Sequence, residues 1–310
     1  MSHAPRAPID LGPALLRRWP LPQPGLEGDK EVRGHVLVVA GSAEMPGAAL
    51  LAAEAALRAG AGKLTVATAA SVAPHLGTAL PEARVIALGE TTGHGVQADS
   101  ARRLGELAGT VDALLVGPGM QDEASCVELV HSLLERFDGT PTVLDARAMC
   151  AVHPRGEPHL LQEPVDWEQF RFPAPVLLTP HAGELARMTG QAREHIAQAP
   201  HAAAQAAAGR WNAVVALKGA TTVLAAPDGA LWQHQGGNAG LGISGSGDVL
   251  AGIIAGLLAR GATLEQAAAW GVVLHGAAGE QLALRCGPLG YLAREIAAEL
   301  PALLRILAAA

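Results

Sequence analysis

Asn238-Ala239-Gly240-Leu241-Gly242-Ile243-Ser244-Gly245-Ser246-Gly247-Asp248 runs directly into residues 249–259, the longest apolar run of the chain. A glycine-rich loop that opens onto a helix lets successive backbone N–H groups turn toward one anion, and the helix N-terminus adds partial positive charge. Gly245, Ser246 and Gly247 are the expected anion hole. Asp248 falls in the first helical turn beside it. A carboxylate there is either a helix cap or a group with chemistry to do. Its place against bound phosphate favours the second role, accepting a proton from a hydroxyl that attacks a phosphoryl group. The helix itself, expected over 248–258, is apolar all round and so expected to be buried.

Upstream of this segment, short apolar runs alternate with helical stretches. Strands are expected at 36–40, 64–67, 85–88, 113–116, 142–144, 176–178 and 214–217. Helices are expected at 46–59, 101–107, 126–137, 184–189 and 199–211. Residues 222–225 and 230–233 flank Pro227-Asp228-Gly229 as a hairpin. Two further helices, at 264–284 and 289–307, close the chain. This alternation predicts an α/β fold with a mostly parallel sheet covered by helices on both faces. Residues 1–33 are rich in Pro and read as an irregular arm with one short helix at 13–19. Residues 34–310 read as a single domain.

Polar or glycine-containing segments recur just after the strands, where an open α/β sheet binds its ligands. Lys218-Gly219-Ala220-Thr221-Thr222 offers a cation for phosphate and small residues for close approach to a nucleotide. Gly41-Ser42-Ala43-Glu44-Met45-Pro46-Gly47-Ala48 joins a strand to a helix as either a phosphate or ribose site or a structural turn, and it lacks the dinucleotide spacing G-x-G-x-x-G. Leu178-Thr179-Pro180-His181 sets His181 at a strand end, able to hydrogen-bond a substrate. Glu184, three residues on, is either a cap or linked to a metal. Asp145 is a candidate for magnesium or water, Asp112 reads as structural, and His275, within an apolar helix, as a satisfied core residue.

Composition narrows the field. Half of the 310 residues are hydrophobic but only 3% are aromatic, so Ala, Leu and Val must fill the core. The net charge of −7, with no basic block beyond Arg17-Arg18, argues against nucleic acid. Cys126, Cys150 and Cys286 are dispersed and read as buried reduced thiols. No zinc spacing and no G-x-S-x-G elbow occurs. No apolar run is long enough for a bilayer and the first residues lack a signal core, so a cytoplasmic protein is expected.

Taken together these motifs resemble the ADP-dependent NAD(P)H-hydrate dehydratases of the ribokinase-like fold. The matching pieces are the segment 34–42, Pro46-Gly47-Ala48-Ala49, Arg58-Ala59-Gly60-Ala61-Gly62, Val116-Gly117-Pro118-Gly119, Leu178-Thr179-Pro180-His181, Leu217-Lys218-Gly219-Ala220 and Gly245-Ser246-Gly247-Asp248-Val249-Leu250-Ala251-Gly252. The resemblance implies that Ala48, Gly119, His181 and Asp248 contact the hydrated nicotinamide nucleotide. It implies that Lys218, Gly219, Ala220, Thr221, Thr222 and Gly247 hold the adenine nucleotide. It further implies ADP as co-substrate, Mg2+, hydrated NADH and NADPH as substrates, a homotetramer, and a chain without the epimerase domain that many relatives carry. Gln121, Arg147 and Ser246 depart from the family pattern, and Arg147 leaves the metal ligands open. Competing expectations are a small-molecule kinase of the same fold, such as a hydroxyethylthiazole kinase-like enzyme, and a nucleotide-binding sensor without catalysis.

Overall fold

The computed structural model describes residues 7–23, 30–153 and 170–308. The parts of the arm at 1–6 and 24–29 lie outside the described residues. The described strands form one sheet: β1 (Ile9–Asp10), β2 (His35–Val39), β3 (Lys63–Ala69), β4 (Arg84–Leu88), β5 (Ala113–Val116), β6 (Thr142–Leu144), β7 (Val176–Leu178), β8 (Ala213–Leu217), β9 (Thr221–Ala225) and β10 (Leu231–Gln235). Their spatial order is β1-β10-β9-β8-β7-β6-β5-β2-β3-β4. All pairs are parallel except β8–β9 and β9–β10, the expected hairpin and its neighbour.

The helices are α1 (Pro13–Arg18), α2 (Pro46–Arg58), α3 (Ala73–Ala79), α4 (Ser100–Gly105), α5 (Glu123–Arg136), α6 (Ala182–Thr189), α7 (Arg193–Gln198), α8 (Pro200–Trp211), α9 (Ser246–Ala259), α10 (Leu264–Cys286) and α11 (Ala293–Ala308). Side chains alternate faces along each strand. Val36 and Val38 of β2 therefore enter a core built with α2, α9, α10 and α11, while Leu37 and Val39 enter a second core with α5 and α8. This is the expected mostly parallel sheet covered by helices on both faces. None of the helices among the described residues is long and apolar enough to cross a membrane.

Several elements differ from the sequence expectation. The arm is not irregular throughout: Ile9 and Asp10 pair in parallel with Trp232 and Gln233, adding an edge strand. Two paired residues carry no periodicity, so pattern reading passes over them. A 3-10 turn at Ala146–Val152 and helices α3 and α7 were not expected. Residues 289–292 precede α11 rather than begin it. Cys126 and Cys150 are buried free thiols as expected, whereas Cys286 is exposed at the end of α10.

α9 contacts α2 closely because glycine removes side chains at the crossing. A Cβ on Gly252 would lie 2.1 Å from the Ala52 carbonyl oxygen, and one on Gly256 2.4 Å from that of Ala56. Real Cβ atoms do not approach so near. Alanines at 52 and 56 complete the small-residue seam, which seats α9, and hence its N-terminus, firmly against α2.

Candidate active site

Strands β2, β3 and β4 step outward one way from the middle of the sheet, and β5, β6, β7 and β8 step the other. The order reverses between β2 and β5, and a crevice forms at such a reversal, beyond the carboxyl ends of the strands. The loops after β2 and β5 meet there: Gly41 N–H donates to the Pro118 carbonyl at 2.7 Å. Gln121 Nε2 donates to Glu44 Oε2 at 2.8 Å, joining the same two loops. Gly119 is pressed so close that a Cβ on it would fall 2.6 Å from Ala48 Cβ.

From this crevice a cavity of about 990 Å³ extends toward the β8–β9 loop and the start of α9. It is lined by Ala48, Gly119, His181, Lys218, Gly219, Ala220, Thr222, Gly245, Ser246, Gly247 and Asp248. Of the residues given substrate, nucleotide or anion-hole roles by the resemblance and the glycine-rich loop, Thr221 alone does not line it; it begins β9, opposite Gln235. Of the 41–48 segment, Met45 and Ala48 line it. Asp145 and Glu184 join the wall.

Each polar group is held by its strand end. Lys218 N–H donates to the Pro180 carbonyl at 2.7 Å, and a bridge pairs His181 with Lys218, so the two segments arrive together. Lys218 Nζ stands 3.3 Å from Asp145 Oδ1 and 3.8 Å from Glu184 Oε2. It is also 3.3 Å from where a Cβ on Gly247 would sit, so the bare glycine makes room for the ammonium at the mouth of α9. Burial alone would lower the lysine's pKa. Asp145 and Glu184 more than offset it, so the pKa is raised and the ammonium is charged.

Asp145 is buried, and its Oδ1 accepts from Thr179 Oγ1 at 2.6 Å as well as from Lys218. Arg147 turns away to pair with Glu123 at 2.7 Å, so it does not extend an acidic pair at Asp145. Asp112 is structural, accepting from the His35 N–H at 2.8 Å.

His181 caps α6. Its Nδ1 accepts from the N–H groups of Gly183 and Glu184 at 3.0 and 3.2 Å, and Glu184 Oε2 accepts from the His181 N–H at 2.8 Å. This reciprocal capping box resolves the sequence alternatives for Glu184 in favour of a cap. It also leaves His181 Nε2 carrying the hydrogen of the neutral ring, on an exposed edge, as a donor.

Gly245 precedes α9 at φ +90°, a conformation suited to glycine, and turns the chain into the helix whose first turn lines the cavity. Of the expected anion hole, the Ser246 N–H is already engaged, donating to the Ile243 carbonyl at 3.2 Å. Asp248 sits in the first turn. Burial, then the carboxylate of Asp145, push its pKa up to about 7 against the pull of Lys218, with Glu184 adding to the rise. A carboxylate so poised accepts a proton near neutral pH.

His275 is a site residue that sequence reading missed. It is satisfied, as expected, but its partner is the glycine-rich loop: Nε2 lies 2.9 Å from Ser246 Oγ and 3.1 Å from Ser246 O. A polar side chain in the apolar stretch 270–276 had to meet something polar, and that was the available signal. Asn238, which opens the glycine-rich segment, is also fixed by its partners. Its Oδ1 accepts from Gly240 N–H and Tyr291 Oη at 2.8 and 2.9 Å, tying the start of the loop to the turn before α11.

The reversed strand order, the glycine-rich loop opening onto a buried helix, and the first-turn aspartate place the protein among the ribokinase-like α/β enzymes. More narrowly, the chain belongs to the NAD(P)H-hydrate dehydratase family, whose sequence profile matches residues 36–302. A Xanthomonas campestris pv. campestris protein, an ADP-dependent (S)-NAD(P)H-hydrate dehydratase, is 49% identical over 291 residues, 94% of each chain. The crystal structure of ADP/ATP-dependent NAD(P)H-hydrate dehydratase from Bacillus subtilis, co-crystallized with ATP/Mg2+, matches with a TM-score of 0.81 at 32% identity, over 96% of this chain and 98% of that one. A hydroxyethylthiazole kinase from Pyrococcus horikoshii OT3 matches at 0.56 and 18% identity, over 89% of this chain and 92% of that one, a likeness of fold alone.

Proposed function

We propose that the protein carries out ADP-dependent dehydration of the S epimer of hydrated NADH and NADPH. The observation that carries this reading is one cavity joining Ala48, Gly119 and His181 to Lys218, the α9 N-terminus and Asp248. The first group would seat the hydrated nicotinamide ring and the second the nucleotide phosphates. Family membership and the relatives' names support dehydration over simple phosphorylation.

The hydroxyl on the reduced ring is a poor leaving group. Asp248 takes its proton as the oxygen attacks the β-phosphorus of ADP, and AMP departs. The N–H groups at Gly245 and Gly247, with Lys218, hold the negative charge that develops on the transferring phosphoryl group. The ring nitrogen's lone pair then expels phosphate, and loss of a proton from the neighbouring ring carbon restores the dihydropyridine. His181 Nε2–H would donate to the substrate.

Asp145, Glu184 and Asp248 bring more negative charge to the cavity than Lys218 offsets, and a diphosphate adds to it. Asp145 and Glu184 already have partners, and among the described residues no group of three or more His, Cys, Asp or Glu could hold a metal ion. The described residues thus offer Mg2+ no cage of their own. The ion we propose is the one carried on the nucleotide's phosphates. We also propose a cytoplasmic homotetramer; exposed Leu284, Leu289 and Leu292 around the α10–α11 turn supply apolar surface for assembly.

The test is incubation with hydrated NADH or NADPH, with ADP and with ATP in parallel. Recovery of the near-ultraviolet absorbance of the dihydronicotinamide ring, matched by AMP and phosphate from ADP, is expected. A stable phosphorylated product without recovery would place the protein with the small-molecule kinases.

A further inference from the structure

Ser246 occupies the first position of α9, in the middle of the anion loop, and is almost wholly buried. A single nitrogen, His275 Nε2, faces both of its oxygens, the carbonyl at 3.1 Å and the hydroxyl at 2.9 Å. A carbonyl oxygen accepts and never donates, so this nitrogen must carry the hydrogen. Once it does, it has no lone pair for the serine hydroxyl. Ser246 Oγ is then an acceptor of the same N–H in a three-centre bond, and its own hydrogen is left for a different acceptor. Burial lowers the His275 pKa to about 4, so the ring is neutral and keeps this tautomer through the neutral range. Both side chains line the cavity that holds Lys218 and Asp248.

We propose that His275 is a positioning residue that turns the Ser246 hydroxyl hydrogen into the phosphate site, giving the anion hole a side-chain donor beside its backbone N–H groups. The inference rests on the assignment of the α9 N-terminus as the phosphoryl site. The hydroxyl matters most when charge builds on the transferring phosphoryl oxygens, so its loss falls on kcat more than on ADP binding. The imidazole acts through the serine, so removing the serine hydroxyl should also remove most of what the histidine contributes.

The experiment is a double-mutant cycle on ADP-dependent recovery of hydrated NADH, using Ser246→Ala, His275→Phe and the double variant. Ser246→Thr and His275→Gln serve as rescues, and thermal unfolding is followed throughout. Each single change is expected to lower kcat about 10- to 100-fold while the KM for ADP moves less than about 3-fold. The double variant should be no slower than the slower single one. Ser246→Thr keeps a hydroxyl and His275→Gln keeps a donor, so both should recover to within about 5-fold of the parent.

Losses that multiply in the double variant would overturn the proposal, as would a loss of melting temperature in His275→Phe with kcat unchanged. Should His275→Phe fail to fold, Ser246→Ala and His275→Gln decide alone: an unchanged kcat in Ser246→Ala, or no rescue in a folded His275→Gln, sinks it. Asp248→Asn is run alongside. Turnover retained there defeats the site assignment itself, whereas turnover lost there with Ser246→Ala intact defeats only the role of the serine and histidine.

Discussion

Asp248 is the carboxyl group on which the proposed chemistry turns. Its pKa of about 7 stands above the ordinary value of 3.8. In the free enzyme kcat/KM should therefore climb with pH through about 7, as the base loses its proton, and then level. A profile flat from pH 5 to 8 would contradict this. The same shift bears on stability. A carboxyl whose pKa is raised by folding favours the native state below its unfolded pKa and loses that favour as pH rises through its folded pKa. Asp248→Asn should thus leave the melting temperature unchanged near pH 4 and raise it near pH 8, with a ceiling of about 4 kcal/mol from the size of the shift. Asp248, Lys218 and the glycines of the anion loop were legible in the sequence because phosphate imposes a motif on the chain. His275 was not, since a lone histidine in an apolar helix has the same signature whether it meets backbone or a catalytic loop. Glu184 was legible only as a pair of alternatives, because the capping box depends on which way two side chains turn.

At the level of elements, the active site depends on how α9 is seated. Gly252 and Gly256 let it press against the α2 backbone. Gly252→Ala would force the two helices apart and should cost about 3 kcal/mol, the upper end of overpacking costs. Its turnover should fall even below the unfolding transition, because the anion hole moves with the helix. Denaturant titration and kcat on one preparation read both effects. The N-terminal arm is a second such element. Trp270 Nε1 donates to the Trp19 carbonyl at 2.8 Å, and Gln266 Nε2 donates to the Pro20 carbonyl at 2.8 Å and the Trp19 carbonyl at 3.2 Å. Gln266→Ala should cost about 1–3 kcal/mol in chemical denaturation by taking the donor from the Pro20 carbonyl, whereas the Trp19 carbonyl keeps Trp270. The helix at 13–19 was legible from Pro13 and the apolar residues after it. The edge strand was not, because its two residues are chosen by the β10 edge beside them and not by their own pattern.

Across the whole molecule, the alternation of short apolar runs with helices was enough to specify a mostly parallel sheet covered on both faces. It did not reveal the strand order, which depends on which crossovers run left or right of β2. That order decides where the loops after β2 and β5 meet, and so where a long substrate could lie between Gly119 and Asp248. The reversal between β2 and β5 appears only in the folded sheet. In the proposed reaction one cavity phosphorylates and then dehydrates a hydrated nicotinamide nucleotide with Asp248 as the base. The most direct measurement compares wild type with Asp248→Asn in ADP-dependent absorbance recovery from hydrated NADH, with ADP binding followed by calorimetry. Recovery should occur only in the wild type, falling at least about 1,000-fold in the variant, while the two bind ADP with similar affinity. Recovery at near wild-type rate by Asp248→Asn, or no recovery by either protein, would contradict it.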